Sequence, residues 1–70
     1  MFIKMETKQK TIIAQITGVR FNKEENNGFL YILEEGLSIA KPIPIKTRKQ
    51  YNTLIKKMNL GIQIIEINWL

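Results

Sequence analysis

The side chains that carry most enzyme chemistry are missing from this chain. It contains no histidine, no cysteine and no aspartate. Their absence removes the commonest general base, the thiolate nucleophile and most of the carboxylates that hold magnesium in phosphoryl-transfer sites. Without histidine or cysteine, neither a zinc cluster nor a disulfide is expected. The composition therefore predicts a protein that is not an enzyme and that uses no metal and no cofactor.

The acids that remain are placed where turns are expected rather than in a catalytic pair. Four of the six glutamates form two adjacent doublets, Glu24–Glu25 and Glu34–Glu35. Neighbouring residues of a strand point to opposite faces, so a doublet does not bring two carboxylates together. The four glycines are isolated turn residues and do not form a phosphate-binding loop.

A basic segment is the strongest functional signal that is left. The net charge is +5, and the segment from Lys41 to Lys57 contains six cations and no acid. Such a surface attracts polyanions through counterion release, although a solvated helix exterior is also commonly rich in lysine. The residues predicted to hold phosphates are Lys41, Lys46, Arg48, Lys49 and Lys56. Tyr31, which shares a strand face with Phe29, is the candidate for stacking on bases; the alternative is that both rings belong to the core.

The basic segment contains the one helix that the sequence predicts, between Ile45 and Gly61. Thr47 followed by Gln50 is a capping box, in which each side chain satisfies a backbone N–H of the first turn. Gly61 is the residue that tolerates positive φ just after the helix. The apolar side chains Tyr51, Leu54, Ile55 and Met58 form one stripe at helical spacing.

Most of the other apolar segments favour strands. Residues 11–21 are rich in β-branched side chains, and Gly18 among them indicates a bulge or a close backbone approach. Strict alternation puts Val19 and Phe21 on the face of Ile13. Asn- and Gly-containing residues then separate this strand from a second one over 29–35, so an antiparallel hairpin is expected.

The last part of the predicted sheet flanks the helix. Residues 37–46 are extended, with Ile39, Ile43 and Ile45 expected to lie under the helix. Pro42 and Pro44 have the same parity, which predicts an edge strand or pairing that ends at Lys41. Residues 62–70 form a final strand in which Ile65, Ile67 and Trp69 share a face, and residues 1–10 form either a short edge strand or a loose arm.

Together these elements predict an α+β fold. The order is β-β-β-α-β, with one helix packed on one face of a small curved antiparallel sheet, in a single domain over residues 1–70. A closed five-stranded barrel would require one more strand, which residues 2–7 could supply.

The composition also bears on where the protein acts. No apolar run approaches the roughly 20 residues that span a bilayer, and the N-terminal segment lacks the apolar core of a signal peptide, so cytoplasmic residence is expected. The bias toward isoleucine, lysine and asparagine is typical of AT-rich codons, which points to a low-GC bacterium, its phage or its plasmid.

Two functions from different classes follow from these observations. One is a small nucleic-acid-binding module that recognises single strands or the backbone through its basic face. The alternative is a protein-binding inhibitor or adaptor, of anti-defence or host-takeover type, that acts on a host or defence enzyme through an exposed sheet edge. A chain this small without disulfide or metal often gains stability from a partner subunit, so a homodimer is considered as well.

Overall fold

In a computed structural model that describes residues 1–68, five strands form one sheet and a helix packs on one side of it. The elements are β1 (Phe2–Glu6), β2 (Thr11–Asn22), β3 (Asn27–Glu34), β4 (Lys41–Ile45), α1 (Arg48–Asn59) and β5 (Ile64–Ile67). The predicted α+β class, the order of elements and the single helix are confirmed over these residues. The prediction for Trp69 lies outside the described part of the chain.

The sheet is mixed rather than wholly antiparallel. Its strand order is β4-β3-β2-β1-β5, with β5 parallel to β1 and all other neighbours antiparallel. Helix α1 has 12 residues and is about 18 Å long. The four gaps between the outermost strands add to about 19 Å, so the helix carries the chain from one edge to the other. There β5 starts at the same end of the sheet as β1 and runs alongside it.

The first strand lies inside the sheet, between β2 and β5. It is therefore neither an edge strand nor a loose arm. The sheet does not close into a barrel, because β4 and β5 remain as its two edges.

Both ends of α1 are capped, and the predicted capping box is formed in part. The Thr47 hydroxyl accepts a hydrogen bond from the Gln50 backbone N–H at 3.1 Å. The Gln50 side-chain oxygen accepts from the backbone N–H of Lys46 at 2.8 Å, one residue before the usual capping-box partner. Gly61 has a φ of +75°. Its N–H donates to the carbonyl of Met58, and the next N–H donates to that of Lys57, which is a Schellman motif.

The buried core lies between the helix and one face of the sheet, called here the helix face. Its members are Ile3, Met5, Ala14, Leu30, Ile32, Ile43, Ile45, Leu54, Ile65 and Ile67. In the predicted helix stripe only Leu54 is fully buried, while Tyr51 and Met58 pack against the core as half-buried side chains. Ile39 is 80% exposed, so its predicted position under the helix is wrong. It precedes β4 and takes part in no strand pairing.

A β-bulge changes which side chains of β2 reach the helix face. Ile16 pairs with Ile32, but Gly18 pairs with Tyr31, so Thr17 is an extra residue. The irregularity that Gly18 indicated is thus confirmed as a bulge. One inserted residue reverses the alternation that follows it. Val19 and Phe21 therefore lie on the helix face and pack against the core, and their predicted placement beside Ile13 is wrong.

Candidate nucleic-acid interface and open sheet face

Helix α1 is a source of positive charge that internal carboxylates do not neutralise. It carries Arg48, Lys49, Lys56 and Lys57 and no acid. Over residues 1–68 the ion pairs are Lys4 with Glu66 at 3.7 Å and Lys41 with Glu34 at 3.3 Å, and neither includes a helix cation. Arg48 donates to the carbonyl of Lys23 at 2.9 Å, and Lys57 approaches that of Glu66 at 3.5 Å. These carbonyls position two of the cations without cancelling their charge.

The helix cations point in different directions around the axis. Lys49 and Lys56 are seven residues apart, so they share one side of the helix and are separated by about 10.5 Å along the axis. Arg48 is turned by about 100° from Lys49, and it lines a small hollow with Lys23 and Tyr51 near the β2–β3 turn. Lys46 lies two residues before the helix, next to the N-cap residue Thr47, and is exposed. The structure thus brings together Lys46, Arg48 and Lys49 around the helix start, with Lys56 further along.

Lys41 does not join this group. It begins β4, whereas Lys46 follows the end of that strand. The strand itself separates these positions by about 13 Å or more. The Lys41 ammonium is paired with Glu34, whose side chain is 18% exposed. The cationic face expected from Lys41 through the helix start is therefore interrupted.

Tyr31 lies on the side of the sheet opposite to the helix, called here the open face. Its neighbours Leu30 and Ile32 are fully buried on the helix face, so Phe29 and Tyr31 point the other way. Phe29 is 44% exposed, and the two ring centroids are 6.3 Å apart with a tilt of 44°. The interpretation of both rings as core is wrong. A phosphate backbone lying along α1 would not reach Tyr31, because the sheet stands between them.

Further apolar side chains lie on the open face beside this aromatic pair, and the sequence did not single them out. Strand pairing places Ile64, Phe2, Gln15 and Leu33 in one row across β5, β1, β2 and β3. Ile13 is the neighbour of Lys4 in the next row. The one feature of the sequence that indicates such a face is that several strands are apolar on both sides, as in Ile12–Ile13.

The two sheet edges differ in their capacity to accept another strand. β4 is the predicted edge strand, and its pairing with β3 continues through both Pro42 and Pro44, so the expected alternative of pairing that ends at Lys41 is wrong. Proline has no N–H, and the intact ladder implies that both missing donors face outward. This edge is therefore poorly suited to strand addition. The outer side of β5 pairs with no strand of the described chain.

Residues 1–68 contain neither a metal-binding cluster of acids nor a membrane-spanning helix. No group of three or more acidic side chains is arranged to hold a metal ion within that range. None of its helical segments has the length and apolar character needed to cross a membrane.

Comparison with known proteins does not indicate a function for this chain. The chain matches no protein family, and neither a curated protein nor a solved structure is similar to it at a significant level. What the protein does has to be inferred from its own residues.

Proposed function

We propose that this chain is a small, non-catalytic, cytoplasmic protein that binds the phosphate backbone of nucleic acid along α1. The observation that supports this proposal is the set of four helix cations with no acid and no carboxylate partner within residues 1–68. Such side chains bind phosphates without first breaking an internal ion pair.

The helix start supports the same proposal. Arg48 and Lys49 occupy the first turn, where no acid is present. Cations near the positive end of a helix dipole are unfavourably placed, and a bound anion relieves that repulsion. In this proposal Lys46, Arg48 and Lys49 hold phosphates at the helix start, and Lys56 holds one further along the helix. Contacts of this kind position the ligand without reading its bases, so binding is independent of sequence.

The direct test is a fluorescence-polarisation titration with a labelled single-stranded oligonucleotide of mixed sequence at several salt concentrations. Four phosphate contacts predict that log affinity falls against log salt with a slope of about −2.8. Absence of binding at low ionic strength would overturn the proposal.

A pair of matched variants tests whether α1 is the site. K49Q/K56Q removes two exposed cations from the helix, and K8Q/K10Q removes two exposed cations from the β1–β2 turn. The helix variant should reduce the magnitude of the slope by about 1.4, whereas the turn variant should leave it nearly unchanged. Equal losses would mean that net charge, and not α1, governs binding.

The protein-binding inhibitor or adaptor remains a second candidate because of one observation: within residues 1–68, no strand pairs with the outer side of β5. A partner strand could add to the sheet there. This candidate predicts a stoichiometric protein partner that persists after nuclease treatment, together with no affinity for oligonucleotides in the titration above.

A further inference from the structure

The proposed function does not use the open face of the sheet. An antiparallel sheet that shows one face to water normally carries polar side chains on it. Here polar side chains share the open face with a large apolar set: Phe2, Ile13, Phe29, Tyr31, Leu33, Ile64, the two prolines of β4, and Leu37 at its border. Stable architectures bury such a face against another layer.

We propose that a second copy of this chain covers the open face. Two sheets would pack face to face about a two-fold axis, about 10 Å apart, with a helix on the outside of each. The inference does not depend on nucleic-acid binding, because both α1 helices stay accessible in this arrangement.

The exposed apolar area matches what a stable dimer needs. Phe2, Ile13, Phe29, Leu37 and Ile64 are each 44–53% exposed. Together they present about 360–600 Å² of apolar surface, if a large side chain has about 150–250 Å² in total. The half-buried and proline side chains of the same face bring the area close to the roughly 800 Å² that each partner buries in a standard interface. A monomer rarely leaves a patch of that size in water.

The charges on this face favour a second copy over a polyanion. Lys4 is paired with Glu66 across β1 and β5 at 3.7 Å. Within residues 1–68, Arg20 is the cation of the open face that has no carboxylate partner. It lies near the β2–β3 turn, while Glu6 lies at the other end of the face, so the two can meet between antiparallel copies. A nucleic acid would find little positive charge here.

The positive charge of the whole molecule does not prevent this association. The chain has a net charge of +5, but its helix cations lie on the far side of the sheet. In a face-to-face dimer the two helices are separated by two sheet layers and the gap between them, about 30 Å. Repulsion over that distance is largely screened at physiological ionic strength, where the Debye length is about 8 Å.

The test is the oligomeric state of the full chain, measured by sedimentation equilibrium, with a melting temperature that rises with protein concentration. I13E and F29E each place a charge on the open face. I39E is the matched control, because Ile39 is more exposed than either residue and belongs to no strand. Each open-face variant should weaken the dimer by about 100-fold or more, whereas the control should leave it unchanged. Circular dichroism checks that all three variants keep their secondary structure.

The following outcomes would overturn the proposed dimer. A monomeric native chain at high micromolar concentration would do so, and so would a dimer that persists in both open-face variants. If the native chain is monomeric and F29E abolishes oligonucleotide binding, the open face belongs to nucleic acid instead. A monomer that captures a different protein through this face would equally replace the second copy.

Discussion

At the scale of single residues, two aromatic rings join the helix to the hairpin. The Phe21 ring stacks on that of Tyr51 with centroids 4.5 Å apart and planes 9° from parallel. Close by, Arg48 donates to the carbonyl of Lys23. These contacts hold the first turn of α1 against the end of β2. They depend on the bulge at Thr17, without which Phe21 would point to the open face.

A double-mutant cycle measures this stacking contact. Phe21→Leu and Tyr51→Leu should each destabilise the protein, with a coupling energy of about 0.5–1.5 kcal/mol in urea denaturation at fixed protein concentration. Phe21→Leu combined with Ile39→Ala serves as the control, because Ile39 is 80% exposed and contributes nothing to the core. The control pair should be additive; additivity for the aromatic pair as well would contradict the stacked geometry.

At the scale of elements, the segment before the helix departs most from its expected form. The sequence predicts that residues 37–46 are extended throughout, but β4 covers only Lys41–Ile45. Gly36 has a φ of +85°, and the chain bends between it and the strand. This turn lets the chain reverse after β3 and return as β4, which pairs with the side of β3 that faces away from β2. Ile39 lies in the turn segment and therefore pairs with no strand.

Two isoleucines of this segment should therefore differ in their contribution to stability. Ile45 is 1% exposed and Ile39 is 80% exposed. Ile45→Ala should lower the free energy of unfolding by about 2–5 kcal/mol because it leaves a cavity under the helix, and Ile39→Ala should change it by less than about 0.5 kcal/mol. Chemical denaturation of both variants makes the comparison. Similar losses would show that Ile39 packs against the core in solution.

At the scale of the whole molecule, an open sheet must avoid uncontrolled pairing at its edges. An exposed row of unpaired N–H and C=O groups is a template for aggregation. Pro42 and Pro44 remove two donors from the outer side of β4, and both side chains are exposed. β5 limits its own exposure by being only four residues long. Both features limit the addition of a further strand at the sheet edges.

Restoring the missing donors should expose the molecule to edge-to-edge assembly. P42T/P44T keeps β4 in place but gives it two outward N–H groups, so light scattering and thioflavin-T fluorescence should rise during incubation at high concentration. Gln15→Thr introduces the same residue type on an inner strand and should cause no rise. A double variant that stays as clear as the native protein would show that the prolines do not protect this edge.

Local sequence determined the helix, its caps, the hairpin turn and the edge character of β4. Each of these depends on groups within a few positions of one another. Thr47 bonds to Gln50, Gly61 closes the last turn, and each proline lacks its own N–H. The sequence alone also establishes that histidine, cysteine and aspartate are absent, because composition does not depend on the fold.

Tertiary structure alone decided the strand neighbours and the side of the sheet on which each candidate residue lies. Strand register is set by distant partners, and a single extra residue such as Thr17 turns every later side chain to the other face. Strands that are apolar on both faces show no preferred side, so the sequence did not separate Tyr31 from the core. The same long-range pairing placed Lys41 beside Glu34 and away from the helix start, because ion pairs form between residues that folding brings close.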